Sequence, residues 1–200
     1  MTENAVHATA RPGKKSIGFV LAISALIVTL PLFLHGPLPA GSDVYSTSHY
    51  LQGFMKAFGE GDLYPRWTDD TNQGLGAPSF VLFPPLTYYG AGAASWLTGS
   101  IISGFKLYLL VVSLLSAAAF YALARQWIGP GLPAAFASAI YLLLPYRVLD
   151  MYQRFAMSET TAFIFFPLIL LFARRPIRIG SRRDAALLAL RYAGHGYTHI

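Results

Sequence analysis

The chain has 200 residues, of which 54% are hydrophobic and only 12% are charged. Soluble domains carry about 25% charged residues, so this composition predicts a membrane protein rather than a large soluble core. Cysteine is absent, which excludes disulfides, thiolate chemistry and cysteine metal sites. The net charge of +6 does not indicate nucleic-acid binding, because the positive residues cluster at the ends of apolar blocks, as membrane proteins place them.

The first apolar block, residues 17–34, has 18 consecutive uncharged residues, which is long enough to cross a bilayer. It comes after a basic tail, residues 1–16, that contains Arg11, Lys14 and Lys15. The block is longer than the apolar region of a usual signal peptide, and the residues after it make a poor cleavage site. An uncleaved first span is therefore predicted.

The later apolar blocks also predict helices, because lipid-exposed backbone must satisfy its own hydrogen bonds. The fold class is thus all-α: a polytopic helical membrane protein with amphipathic juxtamembrane helices in a long first outer loop. After the first span we predict an outer loop at 35–103, which contains a juxtamembrane helix at 44–58 and an interfacial or re-entrant helix at 84–99. Two spans follow at 104–125 and 132–148, and then a short outer loop at 149–159. The last predicted elements are a span at 160–173, a basic loop at 174–184 and the start of a truncated span at 185–200.

The positive residues predict the orientation. The tail before the first span and the five arginines of residues 174–184 both belong in the cytoplasm by the positive-inside rule. An even number of crossings must then separate them, so the block at 84–99, which is rich in Gly and aromatic residues, is predicted not to cross. If all the blocks crossed instead, the five arginines would lie outside, which is the disfavoured alternative.

Asp43 stands a few residues after the first span, at the predicted boundary between membrane and water. A carboxylate there can take a proton from an acceptor hydroxyl. It can equally cap the helix predicted at 44–58, since Asp is favoured at that position, and the sequence leaves both roles open. The rest of the loop is dense in Gly, Pro, Asn and aromatic residues, which indicates a loop folded to a fixed shape.

Arg154 and Glu159 form a second candidate site, because ionisable residues at the edge of a span are functional candidates. The planar fork of Arg154 suits a lipid phosphate, and Glu159 can pair with it or position an acceptor. An interfacial ion pair with Asp150 and Arg147 is the structural alternative.

Asp69 and Asp70 form a further acidic pair, which is either a binding site or a solvated loop feature. His195 and His199 have a spacing that can hold zinc on a helix, but the sequence ends directly after them and no metal is assigned. A single carboxylate such as Asp43 binds a divalent cation weakly, so a divalent metal is left open as a cofactor.

Several of these segments resemble a known family in their order and spacing. Asp43, Tyr-Pro-Arg-Trp at 64–67, Asn-Gln-Gly-Leu-Gly-Ala-Pro at 72–78 and Phe-Pro-Pro-Leu-Thr-Tyr-Tyr at 83–89 resemble the first outer loop of GT-C type membrane glycosyltransferases, and residues 146–154 resemble the same group. The nearest branch is bacterial, and some of its members carry the label "6-pyruvoyl-tetrahydropterin synthase-related" membrane protein. These residues do not support pterin chemistry, which the true synthases perform in a soluble fold with histidine-bound zinc.

The resemblance implies transfer of a hexosyl or pentosyl group from a polyprenyl-phosphate-linked donor to an acceptor, on the outer face of the bacterial inner membrane. Its partners would be the bilayer and the lipid-linked donor, with no nucleic acid. Asp43 would be the catalytic base. The candidate substrate-binding residues are Arg66, Asp69, Asp70, Tyr88, Arg154 and Glu159.

Enzymatic activity is left open, because a membrane transporter and a non-catalytic membrane protein are the alternatives. GT-C folds have more spans than this chain, which stops inside a predicted helix. We therefore expect an N-terminal fragment that lacks the later donor-binding spans and is inactive alone.

Overall fold

The structure is a computed structural model that describes residues 13–179, 189, 192 and 193. Within these residues the fold is all-α, as predicted, with one isolated bridge between Thr68 and Ala77. Most of the predicted basic tail, the predicted basic loop from residue 180 onward, nearly all of the span start at 185–200, and the pair His195 and His199 lie outside the described residues.

The helices of the described residues are named in chain order. They are α1 (Lys14–Leu34), α2 (Val44–Gly59), α3 (Ser79–Leu82), α4 (Leu86–Thr98), α5 (Ile101–Trp127), α6 (Leu132–Leu142), α7 (Pro145–Leu149), α8 (Met157–Ala162) and α9 (Phe165–Ile179). A 3-10 turn at Asn72–Gly74 lies between α2 and α3, and a π-helical turn at Asp150–Arg154 comes directly after α7.

Two of these helices, α1 and α5, are long and apolar enough to cross a membrane. Helix α6 and the segment Pro145–Arg154 pass the same test together but are bent by 47°, so they form either a broken span or a re-entrant loop. The bend has a local cause, because a residue before proline avoids the helical region and Leu144 has an extended ψ of 132°. The sides of the membrane on which the loops lie stay predictions.

The predicted span at 160–173 corresponds to a shorter apolar helical segment, Met157–Ala173. It consists of α8 and the first part of α9, which are separated at Phe163 and Ile164. The segment has fewer than 18 residues, whereas about 20 are needed to cross a bilayer without distortion.

Close contacts between small residues bring α4 onto α5 at the base of the outer loop. A Cβ atom on Gly104 would clash with the Ser95 hydroxyl, and one on Gly90 would clash with the Tyr108 ring. Membrane helices commonly use such residues where their backbones approach closely. One buried apolar cluster then joins α2, α4 and α5 around Leu51, and a second joins α1, α5 and α6 around Ala25.

Candidate functional site

The candidate site is built on the π-helical turn Asp150–Arg154. π-helical turns are rare in proteins, and those that occur are often found at functional sites. The turn ends at Phe155, which has a φ of 60°, a conformation that bulky residues seldom adopt. The buried Phe155 ring packs edge-on against Phe105 with their centroids 5.4 Å apart, so tertiary packing stabilises the strained backbone.

Arg154 is the centre of a charged cluster on this turn. Its Nη1 donates to Asp150 Oδ1 at 2.9 Å and to Glu159 Oε2 at 2.9 Å, and its Nη2 donates to Glu159 Oε1 at 2.7 Å. The two parallel bonds to Glu159 form the bidentate geometry that makes arginine–carboxylate pairs strong and specific. The hydroxyl of Tyr146 also donates to Glu159.

The members of the cluster differ in their exposure. The Asp150 side chain is fully buried, whereas the Arg154 side chain is 37% exposed and that of Glu159 is 20% exposed. Asp150 therefore anchors the guanidinium from inside, and one face of Arg154 remains open to a ligand.

A second arginine, Arg147, lies in α7 directly before the turn and is fully buried. Its Nη2 donates to the Ser113 hydroxyl at 3.1 Å, and its guanidinium carbon lies 5.3 Å from the centre of the Phe163 ring. Within the described residues, Arg147 Nε and Nη1 and Asp150 Oδ2 have no hydrogen-bond partner. The interior beneath the turn is therefore polar.

The backbone around Asp43 docks onto the same turn. The Asp43 N–H donates to the Arg154 carbonyl at 2.9 Å, and the Ser42 N–H donates to the Gln153 carbonyl at 3.1 Å. A Cβ atom on Gly41 would lie 2.9 Å from the Arg154 carbonyl, so the close approach requires glycine there. Two candidates that are far apart in the sequence, Asp43 and Arg154, thereby become neighbours.

The Asp43 side chain is half-buried and directly precedes α2, but it makes no capping hydrogen bond to that helix. Its Oδ1 accepts a hydrogen bond from the Ser42 hydroxyl at 3.0 Å. Of the two roles that the sequence leaves open, the side-chain cap is not formed in this structure.

The candidates of residues 66–70 belong to a separate part of the outer loop. The Arg66 guanidinium lies 4.7 Å from the centre of the Tyr64 ring. Asp70 pairs with Lys56 at 3.6 Å, and Asp69 is exposed. Exposed pairs of this kind contribute about 0–1 kcal/mol, so they do little to fix the loop.

Tyr88 is a core residue in the structure. Its side chain is only 4% exposed, and its ring packs against Phe54 and Phe80 with centroids 6.0 Å and 5.0 Å away. These contacts join α4 to α2 and α3, and they leave little of the ring accessible to a substrate.

The sequence alone indicates Asp150 only as an ion-pair partner and Tyr146 only as part of a motif, although both lie in the cluster. A signal for them existed, since Tyr146, Asp150 and Arg154 are spaced by four and therefore share one face of a helix. The described residues contain no group of three or more His, Asp or Glu side chains able to hold a metal ion. Asp150 and Glu159 are instead both engaged by Arg154, so this pair does not fit a divalent cation.

A family model described as "6-pyruvoyl-tetrahydropterin synthase related domain; membrane protein" matches residues 80–200. The matched region includes the whole Arg154 cluster and begins after Asp43 and residues 66–70. Searches of the curated proteins and of the solved structures each found no match to the chain.

Proposed function

The chain belongs to the 6-pyruvoyl-tetrahydropterin synthase related family of membrane proteins, and we propose that it acts in sugar transfer from a polyprenyl-phosphate-linked donor. The reaction would take place on the outer face of the bacterial inner membrane, with the N-terminus in the cytoplasm. The observation that carries the proposal is the docking of Asp43 onto the turn that holds Arg154, through two backbone hydrogen bonds of 2.9 and 3.1 Å. This docking brings the backbone of a carboxylate residue, Asp43, against the backbone of an arginine whose side chain is partly exposed.

Each group has a distinct role in the proposed reaction. Asp43 accepts the proton of an acceptor hydroxyl while the hydroxyl oxygen forms a bond to the anomeric carbon. The bond from that carbon to the phosphate oxygen breaks, and the polyprenyl phosphate leaves with the electron pair. Arg154 stabilises the leaving phosphate through its open face, and Asp150 and Glu159 hold the guanidinium in position.

The test of this proposal uses the complete protein in proteoliposomes with a radiolabelled polyprenyl-phosphate hexose and a membrane extract as the source of acceptor. We expect Asp43→Asn to abolish label transfer, because the amide cannot accept the proton. Glu60→Gln is the matched control, since Glu60 is an exposed carboxylate of the same loop at the end of α2. Transfer retained by a correctly inserted Asp43→Asn protein would remove Asp43 from the mechanism.

Transport of a lipid-linked or polar solute is the second candidate function. The specific observation in its favour is the bent pair of α6 and Pro145–Arg154, because transporters place discontinuous helices at their substrate sites. The same proteoliposomes separate the two functions. A transporter would move the labelled compound across the bilayer unchanged, whereas a transferase would convert it.

A further inference from the structure

We propose that a cavity between α2 and the loop at residues 68–77 binds a saccharide, and that this saccharide is the acceptor, an identification that rests on the proposed function. The cavity has a volume of about 380 Å³. Its lining residues come from the first half of α2 and from the loop, and they are Tyr45, Ser46, His49, Tyr50, Asp70, Thr71, Asn72, Gln73 and Ala77.

One wall of the cavity is aromatic. The rings of Tyr45 and His49 are parallel within 1°, with their centroids 6.4 Å apart. Tyr45 is 81% exposed, so most of its ring is accessible to a ligand. A flat ring of this kind can cover the apolar C–H face of a sugar while its hydroxyl meets polar groups.

The opposite wall is polar. Asp70, Thr71, Asn72 and Gln73 carry carboxylate, hydroxyl and amide groups. The Thr71 hydroxyl donates to the Thr68 carbonyl and the Asn72 amide nitrogen donates to the Gly76 carbonyl, so a ligand would meet chiefly the oxygens of these two side chains and the Gln73 amide. Amides and hydroxyls both donate and accept hydrogen bonds, which is what a ring of sugar hydroxyls requires. An apolar surface facing a few convergent polar groups is the usual composition of a small-molecule site.

The loop that carries the polar wall has a defined structure. Thr68 and Ala77 exchange two backbone hydrogen bonds of 2.9 and 3.0 Å, and the hydroxyls of Thr68 and Ser79 lie 2.6 Å apart. A Cβ atom on Gly53 of α2 would lie 2.9 Å from the Thr68 side chain. The loop is thus closed on itself and packed directly on α2, so the two walls have a fixed separation.

Backbone strain is concentrated where the loop lines the cavity. Asn72 and Gln73 have φ values of 51° and 61°, and neither is a glycine. Two consecutive non-glycine residues in this conformation are costly, and such strain accumulates where a ligand-binding geometry must be held. The strained residues are the two that carry the amide groups.

The charge of the cavity favours a neutral ligand over an anion. The described lining residues include the carboxylate of Asp70 and no Lys or Arg. Lys56 pairs with Asp70 at 3.6 Å from outside the lining. A phosphate or carboxylate ligand would therefore find no Lys or Arg side chain in the lining to pair with.

The cavity reaches the first turn of α2, which directly follows the proposed catalytic base Asp43 in the chain. Ser46 lines the cavity and stands three residues after Asp43, which is about 5 Å along a helix axis. A sugar that spans a ring width from Ser46 can therefore present a hydroxyl to Asp43.

Saturation-transfer NMR on the full chain in nanodiscs tests the inference, with glucose, mannose and N-acetylglucosamine as neutral probes and methyl phosphate as the anionic probe. We expect at least one neutral sugar to bind, and its affinity to fall at least tenfold in Tyr45→Ala and Gln73→Ala. The matched controls are Tyr64→Ala and Gln52→Ala, which replace exposed residues outside the cavity and should retain wild-type affinity.

Three results would overturn the inference: no neutral sugar binds, the cavity variants bind as the wild type does, or methyl phosphate binds in place of sugars. Gln73→Gly guards against misfolding, because glycine adopts the local φ without strain and should still lose sugar binding. Asp43→Asn should keep sugar binding and lose transfer. If Asp43→Asn retains transfer, the proposed function fails while the cavity stands. If Asp43→Asn loses transfer as expected but Tyr45→Ala and Gln73→Ala bind the sugar as tightly as the wild type does, the cavity inference alone fails.

Discussion

The substitution Gly41→Ala tests whether the docking of Asp43 onto the π-helical turn matters. The new methyl group would lie 2.9 Å from the carbonyl carbon and oxygen of Arg154 and 2.9 Å from Cβ of Phe155. These are backbone atoms and the root of a buried side chain, so they cannot move aside as a flexible side chain would. The segment before α2 must instead shift away from the turn.

Two independent arguments give a similar expected loss in the free energy of unfolding for Gly41→Ala. Overpacking a tight contact costs about 1–3 kcal/mol. If the segment lifts off instead, it loses the two backbone hydrogen bonds of 2.9 and 3.1 Å, at about 0.5–1.5 kcal/mol each. A loss of ~2 kcal/mol lowers the melting temperature of a protein of this size by about 4–8 °C. A displacement of Asp43 by ~1 Å would lower the rate of transfer by about 100-fold.

The assay combines thermal unfolding in detergent, monitored by tryptophan fluorescence, with the transfer measurement in proteoliposomes. Gly59→Ala is the matched control, because a Cβ atom at Gly59, the last residue of α2, would meet nothing within 4 Å. The reasoning is refuted if Gly41→Ala and Gly59→Ala have the same melting temperature. A large loss of stability with full transfer activity would instead separate the docking from catalysis.

Two further predictions concern the charged cluster and the strained loop. Glu159→Gln should lower the KM for the lipid-linked donor about fivefold, because without the Glu159 charge the open face of Arg154 attracts the donor phosphate more strongly, by about 1 kcal/mol. An increased KM in the transfer assay would contradict this reasoning. Gln73→Gly should raise the free energy of unfolding by roughly 0.5–1 kcal/mol. The substitution relieves a left-handed conformation that costs about 1–2 kcal/mol, and the greater chain entropy of glycine in the unfolded state cancels part of this gain. Gln52→Gly, inside α2, should instead destabilise the protein by about 1 kcal/mol, and equal effects in thermal unfolding would show that Gln73 is not strained.

The all-α class was predictable because long uncharged blocks such as residues 17–34 leave few structural choices in a membrane. The break before Pro145 had a signal in the proline itself, although the span predicted at 132–148 continues a helix through it. The π-helical turn had no such signal, because tertiary packing of Phe155 stabilises it. The docking of Asp43 depends on backbone hydrogen bonds between distant segments. Because nearly every residue has the same backbone donor and acceptor, the sequence carries no signal for this contact.

The π-helical turn explains why two arginines close together in the chain have opposite environments. Seven residues of a regular α-helix bring a side chain back to within about 20° of its starting direction, so Arg147 and Arg154 would share one face. Arg147 is fully buried, yet Arg154 is 37% exposed. The π turn accommodates one extra residue, which rotates the later side chains by about 100° around the helix axis. Arg154 thereby leaves the buried face of Arg147 and reaches the open side of the turn.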